Sequence, residues 1–263
     1  MKRVMWKIGM TEHALIVCRD DDLIGLAPDV FHVVTLRGDS TDKPALPDEF
    51  NEGRVLATLT LLNTGKGSAF DRIAPAQRCE RETLRSGRSV IRESAHKKTL
   101  LTEVLRAIEG LGGSAHVPLY REYARRMTEL VDELVLNALF NANPRLRGTD
   151  RGAPFLLAKR EEVIVRWRAD VHTFCVSVSD PFGTLDRDTV LRYLGDRDKT
   201  RSFVGDPSAG LGLRIVFDRS HTFVLEVEPG VCTEVVCHAS FEKKLRDFDV
   251  HERCLHFYLR AAE

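Results

Sequence analysis

The chain has 263 residues, 39 Lys plus Arg balanced by 39 Asp plus Glu, and 43% hydrophobic residues. That composition is globular and excludes long disorder and collagen-like repeats. A formal net charge of zero leaves no global field to gather phosphate backbones, so nucleic acid is not an expected partner. The N-terminus MKRVMWKIGMTEHALIV has its apolar stretch broken by Lys7, Thr11, Glu12 and His13, which argues against a secretory leader. Nowhere does an apolar run approach the roughly 18 residues of a membrane helix, so no membrane association is expected. The six cysteines are scattered with no C-x-x-C pair, as reduced thiols of a cytoplasmic protein would be.

Short β-branched runs from Ala14 to Val17 and from Phe31 to Leu36 flank the acidic turn Asp20-Asp21-Asp22 and predict a small α/β unit at the N-terminus. The segment 38–53 is rich in Pro, Asp and Gly and reads as an exposed loop before the apolar run Val55 to Leu62. Over 80–109, Leu84, Ile91, Leu101, Val104, Leu105 and Ile108 stand among charges at nearly helical spacing, predicting a long surface helix or a helix pair that ends at Gly110. This closes a first region, 1–110. Leu119, Tyr123, Met127, Leu130, Val131, Leu134 and Ala138 then recur every three or four residues and predict one long amphipathic helix that stops before Pro144. Strands are expected at Phe155 to Ala158, Val163 to Trp167 and Thr173 to Val178. A helix follows around Leu185 to Leu194, then a charged segment, a Gly-containing helix from Gly210, and strands at Thr222 to Val227 and Thr233 to His238. This order predicts a two-layer α/β sandwich over 114–240, a mostly antiparallel sheet with helices on one face. The tail 241–263 reads as a short helical appendage.

Three clusters carry chemistry. Glu133, Asn137 and Asn141 lie four apart on the long helix and form a polar stripe beside its apolar face, which is either a solvated helix edge or one wall of a polar site. Asp180 in Ser179-Asp180-Pro181-Phe182-Gly183 stands directly after a strand, where a turn or a ligand contact would serve equally well. Ser208-Ala209-Gly210-Leu211-Gly212-Leu213 opens a helix with glycines two apart, which permits close backbone approach and leaves N–H groups pointing outward; a tight loop is the plainer alternative.

In this order, E-x-x-x-N-A on a helix, a strand ending in Asp with Gly close behind, G-L-G-L-x-I-V opening a helix and a late strand with Thr233 after Pro-Gly, the chain resembles the GHKL ATPases over residues 115–240. That superfamily includes gyrase-type topoisomerases, heat-shock chaperones, histidine kinases and anti-sigma-factor serine kinases. The resemblance implies the Bergerat fold, with ATP and Mg2+ held between helices and sheet under a mobile lid. It implies Asn137 as the magnesium ligand and Glu133 as the general base toward a water or an acceptor hydroxyl. Asp180 would accept a hydrogen bond from the adenine amino group, with Gly183 keeping the wall beside the base thin. Gly210, Leu211 and Gly212 would wrap the phosphates, Thr233 would touch the nucleotide, and Asn141 would add a polar contact. The charged segment 195–206 falls where the lid belongs, making Lys199 and Arg201 phosphate contacts, or else members of a solvated loop.

The family's Asp-x-Gly-x-Gly motif is altered here, because Phe182 stands at its first glycine, and Ser208 stands where sensor kinases commonly carry glycine. His96 is followed by Lys97 and Lys98 rather than by the acidic neighbour of a phosphoacceptor histidine, and His251-Glu252 comes after the ATPase region. The resemblance is thus strongest to stand-alone or anti-sigma-type bacterial ATPases acting in signalling. It implies a protein partner, either a sigma-factor-like regulator or a phosphoacceptor protein, and it leaves a homodimer open. Three functions are expected in competition: an ATP-dependent protein kinase or ATPase, favoured by the pair Glu133 and Asn137; a nucleotide-gated binding regulator with little catalysis, favoured by the Phe182 change and the lack of an acceptor histidine; and a nucleotide-free pseudo-ATPase, which Phe182 would make possible.

Overall fold

The computed structural model of the protein describes residues 2–8, 11–17, 30–35, 70, 84–114, 116–186, 189–190, 211–250 and 253–259. The loop expected at 38–53, the run Val55 to Leu62, the segment 195–206 expected as a lid and Gly210 lie outside them. Of the helix expected around Leu185 to Leu194, Thr189 and Val190 are helical and the other described residues, Leu185 and Asp186, are not.

The centre of the molecule is a mixed sheet. Its antiparallel part comprises β4 (Arg85–Ile91), β5 (Val163–Ala169), β6 (Thr173–Asp180), β8 (Cys232–Ser240) and β7 (Thr222–Glu228), side by side in that order. Next to β7 runs β9 (Arg253–Leu259), parallel to it, and β3 (Val30–Thr35) pairs antiparallel with β9 at that end. A separate hairpin joins β1 (Lys2–Ile8) to β2 (Thr11–Val17). The runs read as strands from Thr173, Thr222 and Thr233 are therefore adjacent in space, in the order β6, β8, β7.

Two helices form the main covering layer. Helix α1 (Ser94–Glu109) is followed by a short 3-10 turn, Gly110–Gly112, and by Gly113. Helix α2 (Val117–Leu136) starts with Pro118 in its first turn, where a missing N–H costs nothing, and packs along α1. The expected three-to-four spacing is fulfilled: Tyr123, Met127, Leu130, Val131 and Leu134 are all buried. Helix α3 (Leu211–Arg219) packs against α2, and the short α4 (Leu245–Val250) precedes β9.

The core lies between this layer and one face of the sheet. Val163, Val165, Trp167 and Ala169 alternate along β5 with Ile164, Arg166 and Arg168, and the first set joins the same apolar cluster as Leu100, Val104, Tyr123 and Met127. Register carries that face across the sheet: Val165 is opposite Val178, Val178 opposite Val235, and Val235 opposite Leu225. The other face is not simply solvated, because Val224, Val236 and Ser177 are buried there, and Phe70 lies against the guanidinium groups of Arg166 and Arg168.

Three expectations are corrected. The stretch read as helix from residue 80 is a strand over Arg85–Ile91 and becomes helical only at Ser94; its RSGRSVI sequence contains Gly87, a poor helix residue, and is fixed by pairing with β5 from Arg85–Ala169 to Ile91–Val163. Phe155 to Ala158 is no strand, since only a single bridge forms there, between Leu156 and Glu93. The tail expected as a helical appendage contains α4 and then β9, which extends the sheet beside β7.

Candidate functional site

Glu133 lies in the last turn of α2, and Asn137 and Asn141 lie in the segment Asn137–Ala142 that continues it with the wider π-helical hydrogen bonding. Single π turns inside a helix change the facing of successive residues and recur at functional sites. Here the segment packs on β6, the strand that ends in Asp180. One side chain holds the next: Asn141 Nδ2 donates to Asn137 Oδ1 at 2.7 Å, and Arg151 Nη2 donates to Asn141 Oδ1 at 3.1 Å. Arg147 donates through both Nε and Nη2 to the Asn141 carbonyl at 3.1 and 2.8 Å, satisfying a backbone acceptor at the end of the helix.

Gly212, in the first turn of α3, is the point at which the first and third clusters meet. A Cβ on Gly212 would stand 2.5 Å from Glu133 Oε2 and 3.3 Å from Asn137 Oδ1. A side chain there would push the carboxylate aside, so glycine lets α3 approach α2 with Glu133 in this position. Leu211 begins the same helix, while Lys199, Arg201 and Gly210 lie outside the described residues.

The Glu133 carboxyl titrates above the ordinary carboxylate range, first because it is partly buried and then because Asp132 is beside it; Arg151 and Lys97 oppose the shift. Lys97, from α1, is already paired with Asp132 at 2.6 Å. A carboxyl with this environment is a better proton acceptor than an exposed one.

Asp180 closes β6 directly opposite Thr233 on β8. It is 7% exposed, and burial pushes its carboxyl up to about 7, although the backbone N–H groups of Phe182 and Gly183 pull the other way. The Phe182 N–H reaches Asp180 Oδ1 at 3.0 Å. So Phe182, the residue that departs from the glycine pattern, contributes its backbone to holding the aspartate. Gly183 has φ 57°, and a Cβ on it would be 2.1 Å from the Glu228 carbonyl oxygen. The loop after Asp180 can lie against the β7–β8 turn only with glycine there, and the Gly230 N–H donates to the Gly183 carbonyl at 3.2 Å.

Two polar atoms of these clusters are buried without a hydrogen-bond partner among the described residues: Asn137 Nδ2 and Thr233 Oγ1. Leaving such groups unmade costs about 1–3 kcal/mol each; Thr128 Oγ1, Asn143 Nδ2 and Trp167 Nε1, outside the clusters, are likewise without a partner among the described residues. Sequence reasoning missed Arg151, Arg147, Lys97 and Asp132 around this site. Asp132 had a signal, its adjacency to Glu133; the arginines come from an irregular loop with no periodicity to place them. Among the described residues no group of His, Cys, Asp and Glu side chains is arranged to hold a metal by itself, and no helix is long and apolar enough to cross a membrane. In comparison with known proteins, no family model matches the chain and no curated sequence matches it.

Proposed function

We propose that the chain is a histidine-kinase-like ATPase of the Bergerat fold that binds Mg-ATP and transfers or hydrolyses its terminal phosphate, as a cytoplasmic signalling protein that acts on or through a protein partner. The observation that carries this reading is the meeting of separate sequence clusters at Gly212, whose missing Cβ leaves room for both Glu133 and Asn137. The unpartnered Asn137 Nδ2 and Thr233 Oγ1 fit a site built around a polar ligand. Asn137 Oδ1, which accepts from Asn141 Nδ2 through one lone pair, would keep the other for Mg2+, a cation that takes few protein ligands. Bound magnesium supplies charge neutralisation at the phosphates.

The chain's own residues do the rest. Asp180, ionised, accepts a hydrogen bond from an exocyclic amino group, which adenine offers and the carbonyl of guanine at that place does not. Thr233, opposite it, offers a hydroxyl that donates or accepts. The first turn of α3 presents backbone N–H groups to phosphate, where the helix dipole favours negative charge. Glu133 takes the proton of a water or an acceptor hydroxyl, and its raised pKa keeps the carboxylate basic enough to do so.

The test is calorimetric binding of ATP and GTP with and without magnesium, followed by turnover. Binding selective for ATP and lost in Asp180→Ala and Asn137→Ala, with turnover lost but binding kept in Glu133→Ala, supports the reading. Binding without turnover in the native protein would replace it with a nucleotide-gated partner-binding regulator. No binding at millimolar nucleotide would sink both.

A further inference from the structure

Three cationic side chains approach the Glu133–Asn137–Asn141 stripe, and they are committed to different degrees. Lys97 is paired with the Asp132 carboxylate at 2.6 Å. Arg147 is held by the Asn141 carbonyl through two nitrogens at 3.1 and 2.8 Å. Arg151 makes its described hydrogen bond through Nη2 alone, at 3.1 Å, to the neutral amide oxygen of Asn141. A guanidinium has five N–H donors in a planar fork, and a phosphate offers it two parallel hydrogen bonds and a full opposite charge that a single amide oxygen does not. Arg151 therefore stands to gain from an incoming anion, whereas Lys97 already has one.

Its place is at one end of the proposed site. Asn141, which it touches, is hydrogen-bonded to Asn137, and Asn137 and Glu133 both face Gly212. Asp180 and Thr233 mark the other end, where β6 and β8 meet. If Asp180 receives the base, as proposed above, the Glu133 end receives the phosphates farthest from it. We propose that Arg151 is a phosphate-binding residue that exchanges its bond to Asn141 for the terminal phosphate of a nucleoside triphosphate, so that the site distinguishes triphosphate from diphosphate. This rests on the nucleotide-binding reading. It also gives Asn141 a role, as the seat of the guanidinium when no triphosphate is bound.

The experiment compares ATP with ADP on the full chain in the presence of magnesium, by calorimetry, for the native protein, Arg151→Ala and Arg151→Lys. Arg151 is in a partly exposed loop, and an unchanged thermal melt for each variant confirms folding. The native protein is expected to bind ATP more tightly than ADP. In Arg151→Ala the affinity for ATP should fall about tenfold or more while that for ADP stays within about twofold, and Arg151→Lys should recover part of the difference. A merely structural role for Arg151 would weaken both nucleotides alike. Equal losses, no loss, or a native protein that binds ATP and ADP equally overturns the inference and leaves the nucleotide reading standing; a native protein that binds neither overturns both.

Discussion

If Asp180 receives the base, as proposed above, function is set against stability within a single residue. A carboxyl with an ordinary pKa of 3.8 that is pushed up to about 7 by burial prefers its neutral form in the folded protein. Its stabilising share is present in full below about pH 4 and is lost as pH rises through 7, so at pH 8 the ligand-free fold carries a buried carboxylate it would be more stable without. Asp180→Asn should thus raise the unfolding free energy at pH 8 by about 2–4 kcal/mol, seen in denaturant titration, with a smaller gain at pH 5. The same variant should weaken adenine nucleotide binding, because the asparagine oxygen would stay with the Phe182 N–H and leave the NH2, a donor, facing the amino group of the base; native affinity itself should decline as pH falls below 7, and in Asp180→Asn that dependence should flatten. The two glycines of the site predict a contrast. Gly212→Ala places a methyl 2.5 Å from the free end of Glu133, which can swing away, so the melting temperature should move by only a few degrees while turnover falls at least tenfold. Gly183→Ala meets backbone at 2.1 Å in a left-handed conformation, where nothing can swing, and should cost about 1–3 kcal/mol of stability.

At the level of elements, the site depends on how α2 ends. The π segment Asn137–Ala142 is held at its end by Arg147, and Thr184 adds a long hydrogen bond of 3.4 Å to the Ala142 carbonyl. Arg147→Ala should speed amide hydrogen exchange in 137–142 by up to about tenfold while leaving the buried turns around Met127 protected, since the net worth of such a hydrogen bond, once water replaces it, is about 0.5–1.5 kcal/mol. The same element shows why some of the structure was legible in the sequence. Tyr123 to Leu134 announce a helix because each buried side chain recurs at the helical period, and β6 and β8 announce themselves by their β-branched runs. Asp180 could be placed at a strand end for the same reason. The strand β4 could not, because Arg85, Ser86, Gly87, Arg88 and Ser89 carry no alternating apolar face, and only pairing with β5 makes them extended. Phe155 to Ala158 has strand-like residues but no strand beside it beyond the bridge at Glu93. Arg151 reaches Asn141 across ten residues of irregular chain, a juxtaposition no spacing rule encodes.

Across the whole molecule, the C-terminal segment locks the helical layer to the sheet. Phe241 stacks on Tyr123 with ring centroids 4.6 Å apart, and Phe248 lies 5.4 Å from the same ring. Tyr123, fully buried at its ring, donates its hydroxyl to the Glu242 carbonyl at 2.8 Å and accepts the Glu242 N–H at 2.9 Å; burial pushes its phenol up to about 12. His221 joins the same lock from the other side. The Ser240 N–H donates to its Nδ1 at 2.9 Å, which leaves Nε2 carrying the proton toward the Phe248 carbonyl at 3.2 Å. Arg126 of α2 lies over the Phe248 ring at 5.6 Å and pairs with Asp249 at 2.6 Å. Tyr123, His221 and Arg126 all meet the Phe248 ring, which is 0% exposed and belongs to a helix of six residues, too short to stand alone. Phe248→Ala should therefore cost about 3–5 kcal/mol in denaturant unfolding, the range for emptying a buried phenylalanine site. Asp180, Thr233 and Gly212 are held by other contacts, the β6–β8 pairing and the α2–α3 packing. Nucleotide affinity measured well below the lowered melting point should stay within about twofold of native, and saturation at 100 times the dissociation constant should return about 2.7 kcal/mol of the lost stability. A variant that lost affinity in step with stability would show instead that the C-terminal lock positions the site rather than only the fold.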